Sequence, residues 1–182
     1  AGSGFPDVYM ACDRYYLENV REWFQEDVDI SDADIVIVVS KGNPKNIQGI
    51  EDLLQPGMRI SVGQPEQCTI GALTRIMLEN MGVYDEVMEN VVTETTSSAN
   101  LVPTVTIGSV DATIAYITDT MAESDKVDYV RIDSQFAIAI QPFSIAKSSK
   151  HKHLGRRLYN GIAAAGERFE AAGFHFRLEE EE

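Results

Sequence analysis

The stretch that decides the fold is MRISVGQPEQCTIGALTRIMLENM, which covers residues 58–81. Its apolar first part is closed by Gly63, Gln64 and Pro65, which is typical of a buried strand that ends in a tight loop. The second part places apolar residues three and four positions apart, and this spacing predicts a helix. The stretch therefore predicts a strand, a loop and a helix in that order.

The predicted start of this helix is a candidate anion site. The first N–H groups of a helix have no partner within it, and the helix dipole places about half a positive charge there. An anion can therefore bind at such a junction without lysine or arginine. Every α/β protein contains several such junctions and most of them hold only water, so the junction alone leaves both interpretations open.

Composition bounds the class of protein. The chain has 182 residues, 44% of them hydrophobic, which is enough for one good core or two small ones. Its formal charge of −14 argues against a nucleic-acid partner, because phosphate binding depends on lysine and arginine. No apolar run approaches the roughly 20 residues of a membrane span, and an export signal is expected to lie upstream or to have been removed. Cys12 and Cys68 match no metal-ligand spacing and are compatible with free thiols or with a disulfide.

Apolar patterns on either side of the central stretch predict further elements. Asp13 is a helix-cap candidate, and the apolar residues up to Phe24 predict a surface helix, followed by an acidic linker at residues 26–34. The β-branched run at residues 35–39 predicts a strand covered on both faces. The other predicted elements are helices at 47–54, 101–107 and 153–172 and strands at 91–93, 112–117, 127–132 and 136–146. The alternation predicts an α/β protein with largely parallel sheets.

Five segments occur in an order and at separations that are specific when taken together. They are GFPDVYMACD (residues 4–13), SKGNPKNIQGIEDLLQPGMRISVGQPEQCTIG (40–71), GSVDATIAYITD (108–119), PFSIAKSSKH (142–151) and AGFHFR (172–177). In this order they resemble the molybdate-binding proteins that deliver oxyanions to ABC importers, a group within the type II periplasmic binding proteins. The resemblance covers nearly the whole chain.

The resemblance implies an α/β, two-lobe fold of the type II periplasmic-binding-protein kind, with the ligand in a cleft between the lobes. By position, residues 1–33 and 134–182 resemble the first lobe, and residues 34–133 resemble the second lobe with the crossover strands. The family's opening strands, serine motifs and first-lobe ligands have no counterpart in this sequence. The first lobe is therefore expected to be incomplete, with its open edges covered by the missing N-terminal segment or by a second copy of the chain.

The resemblance also implies a ligand set. The family binds its oxyanion on the second lobe through two backbone N–H groups and a tyrosine hydroxyl, which correspond by position to Ile70, Ser98 and Tyr116. Such groups donate hydrogen bonds without adding charge. The implied ligand is molybdate or tungstate, held without a cofactor and without direct protein–metal ligands. Glu66 and Glu94 lie near positions at which a related archaeal group supplies carboxylates, but the archaeal pattern itself is not matched.

The implied function is that of the substrate-binding component of an ABC transporter, in the periplasm or otherwise outside the cytoplasm, with the permease as its partner. An enzyme is not expected, because Ser40, Ser97 and Ser98 lack both a GxSxG elbow and a suitably placed histidine base. The three histidines are expected to be solvated rather than metal-bound. Two alternatives stay open, namely a ligand-sensing domain of a regulator and a fragment of a larger protein that binds nothing alone.

Overall fold

The computed structural model describes residues 4–178 of the chain. These residues divide into two compact units. One unit, which we call the terminal unit, comprises the described parts of Ala1–Ala33 and Ala139–Glu182. The other, the central unit, is the continuous stretch Asp34–Ile138.

Strands and helices alternate along the described chain. The strands are β1 (Val8–Met10), β2 (Val28–Ser40), β3 (Ile60–Gly63), β4 (Val91–Thr95), β5 (Ala112–Tyr116), β6 (Val127–Arg131), β7 (Ile138–Ile145) and β8 (His175–Phe176). The α-helices are α1 (Ile50–Leu53), α2 (Thr69–Met81), α3 (Tyr84–Glu89), α4 (Leu101–Thr106), α5 (Lys152–Ala163) and α6 (Gly166–Ala171). Segments of 3₁₀ helix cover Arg14–Tyr16, Ser98–Asn100 and Ile117–Glu123. This element order confirms the predicted α/β class.

The sheet of the central unit has the strand order β6, β2, β5, β3, β4. Strand β3 pairs in parallel with β4 and β5, whereas β2 pairs antiparallel with β5 and β6. The prediction of largely parallel sheets is therefore wrong, because the sheet is mixed and the terminal-unit pairs β1–β7 and β2–β8 are antiparallel as well. A continuous apolar run indicates burial on both faces, and a central antiparallel strand can be buried on both faces as well.

Strand β2 supplies much of the core of the central unit. Every residue from Ile35 to Val39 is at most 1% exposed. Ile37 lies opposite Ile114 on β5 and Val130 on β6, so it has a neighbouring strand on each side. The predicted strand at these residues, covered on both faces, is confirmed.

The first half of β2 lies in the terminal unit and replaces the predicted acidic linker, so that prediction is wrong. Its polar residues have partners inside the unit. The Ser31 hydroxyl donates to Gln141 Oε1 at 2.8 Å, and Asp32 Oδ1 lies 2.8 Å from His175 Nδ1 on β8. Asp32 also accepts a hydrogen bond from Arg177 Nε. Acidic residues occur within this strand because basic side chains from distant parts of the chain pair with them.

The predicted surface helix after Asp13 is not formed. A 3₁₀ helix covers Arg14–Tyr16, and turns follow it. The Asp13 carboxylate accepts hydrogen bonds from Tyr15 N at 2.6 Å and from Ile140 N on β7 at 2.8 Å. Asp13 therefore caps the short turn and also ties it to a strand. Such long-range bonds compete with a local helix whose tyrosine, valine and tryptophan residues have only weak helix propensity.

The terminal unit places β7 between β1 and β2, and β8 pairs with β2. The single helix predicted at residues 153–172 is divided into α5 and α6. Gly166 begins α6, and a Cβ atom at this position would come within 2.9 Å of the Phe176 ring on β8. The second helix thus starts where the absence of a side chain allows it to pack closely on the strand.

An ion pair joins the starts of β3 and β5 in the central unit. Asp111 Oδ2 accepts a hydrogen bond from Arg59 N at 3.0 Å, and Asp111 Oδ1 accepts one from Arg59 Nη2 at 2.9 Å. Arg59 Nη1 also donates to Ser109 O at 3.0 Å. The hydrogen bond from the guanidinium holds the pKa of the Asp111 carboxyl below its ordinary value of 3.8. The ionised pair therefore stabilises the pairing of the strands that carry the site described below.

We expect Asp111→Asn to lower the free energy of unfolding by about 1 kcal/mol at neutral pH, because a charge-assisted hydrogen bond is lost. A carboxyl whose pKa is lower in the folded state stabilises the fold above its unfolded pKa, and this contribution is lost as pH falls through the folded pKa. The difference in free energy of unfolding between Asp111→Asn and the wild type should therefore shrink below about pH 4. Urea unfolding at a series of pH values measures this change.

The control for this experiment is Asp125→Asn, which removes the same charge from an exposed position. This control variant should show the same pH dependence of the free energy of unfolding as the wild type. A deficit of Asp111→Asn that stays constant at every pH would show that the ionised pair with Arg59 is not its cause.

Candidate functional site

The carboxyl ends of β3, β4 and β5 lie at one edge of the central sheet. Gly63 at the end of β3 is opposite Thr95 at the end of β4, and Ser61 on β3 is opposite Thr113 on β5. Because these three strands run in the same direction, the segments that follow them all start from this edge. We call it the carboxyl edge, and such edges are where parallel sheets commonly bind ligands.

The three residues predicted as ligands all belong to the carboxyl edge. Ile70 is the second residue of α2, which follows β3, and Ser98 is the first residue of the 3₁₀ helix that follows β4. Tyr116 is the last residue of β5. From the register of β3 with β5, Tyr116 is level with Gln64, the first residue after β3. The strand register thus brings the three elements together, and the use of these residues as ligands stays a prediction.

Backbone hydrogen bonds hold the loop between β3 and α2. Gln64 N donates to Thr95 O at 2.8 Å, which ties the loop to the end of β4, and Cys68 N donates to Gln64 O at 2.9 Å. Cys68 is the N-cap residue, but its side chain accepts no hydrogen bond from the helix. The Ile70 side chain is fully buried, so this residue can offer a ligand only its backbone N–H.

Helix α2 begins in very close contact with the end of β3. A Cβ atom on Gly71 would lie 2.4 Å from the Gly63 carbonyl oxygen, and a Cβ atom on Gly63 would lie 2.8 Å from the Gly71 nitrogen. Only glycine fits at both positions without displacing backbone. The two glycines therefore set the distance between the first turn of the helix and the end of the strand.

Asp119 is a residue at this edge to which the sequence analysis assigned no role. It lies in the 3₁₀ helix Ile117–Glu123, directly after β5, and its carboxyl group interacts with the Ser98 hydroxyl. Burial raises the pKa of the Asp119 carboxyl, and the Ser98 hydroxyl offsets this only in part. The sequence could have indicated a role for Asp119 at the site, because this residue ends the segment GSVDATIAYITD three residues after Tyr116.

All basic side chains of the central unit except Lys45 are engaged in ion pairs. The pairs are Lys41–Asp128, Arg59–Asp111, Arg75–Glu79, Lys126–Glu123 and Arg131–Asp34. The first turn after each of β3, β4 and β5 contains no lysine or arginine. An anion at the carboxyl edge would therefore accept hydrogen bonds from neutral donors, namely backbone N–H groups and hydroxyl groups.

The structure also describes the two cysteines and a cavity outside the carboxyl edge. Cys12 is exposed, Cys68 is buried, and both are free thiols. No cluster of His, Cys, Asp or Glu able to hold a metal ion is found within residues 4–178. In the same range no helix has both the length and the apolarity needed to cross a membrane. The terminal unit contains a cavity of about 360 Å³ lined by Phe143, Arg156 and Tyr159 among others.

Comparison with known proteins gives the family of the chain. A family model for bacterial extracellular solute-binding proteins matches residues 2–175. The chain belongs to this family. A relative of this solute-binding protein is the molybdate-binding protein ModA of Mycobacterium bovis, which is 27% identical over 174 residues. The alignment covers 92% of the chain and 65% of ModA, so the chain spans just under two thirds of that relative's length.

Two solved structures share the fold of this solute-binding protein. The periplasmic molybdate-binding protein of Azotobacter vinelandii has a TM-score of 0.73 at 15% identity, over 97% of this chain and 80% of that protein. A periplasmic thiamin-binding protein has a TM-score of 0.78 at 15% identity, over 97% of this chain and 67% of that protein. At such identities the likeness concerns the fold alone. Together with ModA, the A. vinelandii protein confirms the predicted resemblance to molybdate-binding proteins. The thiamin-binding protein shows that a protein of the same fold can bind a different kind of ligand.

Proposed function

We propose that the chain is the substrate-binding component of an ABC importer and captures molybdate or tungstate at the carboxyl edge. Ile70 N, Ser98 N and the Tyr116 hydroxyl donate hydrogen bonds to the oxyanion. The protein acts outside the cytoplasm, delivers its anion to a transporter permease and performs no reaction on it. The observation that carries this proposal is the convergence of three parallel strand ends, one of them leading into helix α2, at one edge of the central sheet.

The donor chemistry of the carboxyl edge supports an anion rather than a cation as ligand. Helix α2 is 13 residues long and starts at this edge, so its unpaired N–H groups and its dipole both favour negative charge. Each hydrogen bond to an ionised acceptor contributes roughly 1.5 to 3 kcal/mol. Three such bonds are comparable with the roughly 8 kcal/mol of a micromolar complex.

The overall charge of the chain does not oppose this proposal strongly. The formal charge is −14, but at physiological salt exposed charges farther than about 8 Å from the ligand are largely screened. The N–H groups touch the ligand directly. The affinity should therefore depend weakly on salt and strongly on the number of hydrogen bonds.

Similarity to ModA supports molybdate or tungstate over other ligands of the fold. ModA of M. bovis is named for molybdate binding, and its alignment covers 92% of the chain. The thiamin-binding protein supports the fold but does not favour an anion. The choice of ligand therefore rests on the sequence relative and on the donor chemistry, and it needs a direct measurement.

Calorimetric titration of molybdate, tungstate, sulfate and phosphate tests the proposal. The titrations use the purified chain and the product of its complete coding sequence, at low and at physiological salt. We expect molybdate or tungstate to bind more tightly than sulfate and phosphate, with little effect of salt. Failure of the complete protein to bind any of the four anions would remove the transport proposal and favour the alternative of a ligand-sensing domain or a non-binding fragment.

We expect Tyr116→Phe to weaken molybdate binding about tenfold, because one charge-assisted hydrogen bond of roughly 1.5 kcal/mol is lost. The matched control is Tyr129→Phe on β6, which removes the same hydroxyl from a side chain that is 45% exposed. Calorimetry should show an unchanged affinity for the control. An equal affinity of Tyr116→Phe and the wild type would exclude this hydroxyl from the ligand set.

A further inference from the structure

Asp119 is a half-buried residue close to the proposed ligand residues. It lies three residues after Tyr116 in the chain, and its carboxyl group interacts with the Ser98 hydroxyl. Its Oδ2 atom is buried and has no hydrogen-bond partner in the described part of the chain. A buried carboxylate oxygen without a donor is costly, and protonation of the carboxyl group relieves that cost.

We propose that Asp119 is a positioning residue of the oxyanion site and that its protonation makes oxyanion affinity rise as pH falls. This inference rests on the proposed function, since it concerns the regulation of the same site. The carboxyl group interacts with the Ser98 hydroxyl and so restrains the first turn after β4, which carries the Ser98 N–H. Asp119 itself does not contact the anion.

The charge of Asp119 acts on the bound anion over a short distance. A carboxylate paired with a ligand residue lies within the range at which salt screens charges poorly, so it repels a bound dianion. The protonated carboxyl group carries no charge and keeps an oxygen for Ser98. Because burial raises the pKa of Asp119, protonation begins at a higher pH than in an exposed aspartate.

Among the described residues of the elements that pack most extensively on the 3₁₀ helix of Asp119, no free cation takes over this titration. These elements are β5, α4 and β6. Helix α4 carries no titratable residue, and the two strands contribute Tyr116 and Tyr129. The charged residues of β6 and of the 3₁₀ helix itself are held in ion pairs, namely Asp128–Lys41, Arg131–Asp34 and Glu123–Lys126. Burial and the Ser98 hydroxyl therefore govern the ionisation of Asp119.

The first test compares wild type with Asp119→Asn by calorimetric titration of molybdate at a series of pH values from about pH 8 down to about pH 4, near the ordinary pKa of an aspartate. Asparagine keeps a side-chain oxygen for Ser98 but cannot ionise. We expect the variant to bind molybdate about tenfold more tightly than wild type at the upper end, and the difference to shrink as pH falls through the raised pKa of Asp119. The ratio of the two affinities cancels any protonation of molybdate itself. Asp125→Asn, which removes an exposed charge, should follow the wild-type profile.

The second test separates positioning from charge. Asp119→Ala removes the acceptor for Ser98 as well as the charge, so we expect it to bind molybdate about fivefold more weakly than Asp119→Asn at every pH. Ser98→Ala should weaken binding to a similar extent, because it removes the hydroxyl group that interacts with Asp119. In the double alanine variant the two losses should not add.

The outcomes distinguish this inference from the function on which it rests. Identical pH profiles of wild type and Asp119→Asn, or additive losses in the double variant, would overturn the role of Asp119 while molybdate binding itself stands. Absence of molybdate binding by the wild-type protein at every pH would remove the proposed function and this inference together. Circular dichroism of each variant at each pH checks that the compared proteins are folded.

Discussion

Gly71→Ala should lower the free energy of unfolding by about 3 kcal/mol or more. The new Cβ atom would lie 2.4 Å from the Gly63 carbonyl oxygen and 2.6 Å from the Gln64 carbonyl carbon. Both neighbours are backbone atoms, so helix α2 or the loop before it has to move. The higher helix propensity of alanine offsets this loss of stability by only about 1 kcal/mol. Urea unfolding of the purified chain measures the difference.

The matched control for Gly71→Ala is Gly161→Ala. Gly161 also lies inside a helix, α5, but a Cβ atom there would meet nothing within 4 Å. This substitution should leave stability unchanged or raise it by up to about 1 kcal/mol. Similar effects of the two substitutions would mean that the close approach of α2 to β3 does not determine the cost. Folded Gly71→Ala protein should also bind molybdate more weakly, because the shift moves the Ile70 N–H.

Ile37→Ala should lower the free energy of unfolding by about 3 to 4 kcal/mol, the range of isoleucine truncation in a well-packed core. Its side chain is fully buried, and Ile114 and Val130 occupy the opposite positions on the two neighbouring strands. These neighbours belong to regular strands, which limits their movement into the space left by the removed atoms. Urea unfolding again provides the measurement.

Val92→Ala is the matched control for the core substitution. Val92 is also a β-branched strand residue, but on β4 it is 58% exposed. Its replacement should cost less than about 1 kcal/mol. A cost for Ile37→Ala as small as that for Val92→Ala would contradict the assignment of β2 as the centre of this core.

Elements with local signals were predictable from the sequence. Helix α2 has the expected apolar spacing, and it ends at Gly82, whose left-handed backbone with φ of 74° suits glycine. Helix α4 forms as predicted because Pro103 lies in its first turn, where its missing N–H is not needed. In these segments the nearest neighbours in sequence decide the conformation.

Elements that depend on distant partners were not predictable in the same way. Asp13 looks like the cap of a long helix, but its second bond, to Ile140 N, joins parts of the chain that are far apart in sequence. The polar start of β2 has the sequence pattern of a linker, but it forms a strand in which Asp32 contacts His175 and Arg177. A periodic pattern contains no information about such partners.

In the candidate site, too, some residues were predictable from the sequence and others were not. The resemblance to a known family selected Ile70, Ser98 and Tyr116, and the strand register then placed their elements at one edge. The significance of Asp119 depends on its burial and on its pairing with Ser98, neither of which a motif contains. The contact between Gly63 and Gly71 likewise requires coordinates.

The division of the chain into a continuous central unit and a discontinuous terminal unit has a consequence for its synthesis on the ribosome. The central unit is one uninterrupted stretch, so β2, β5 and β6 emerge and can pair before α5 and α6 have been translated. Strand β1 precedes the central unit in the chain, but its partner β7 is translated only after that unit. The β1–β7 pairing closes a loop that contains the whole central unit, and the entropy cost of this closure is smaller once that unit has become compact. Strand β1 therefore stays accessible to chaperones and proteases until the central unit and β7 have been translated.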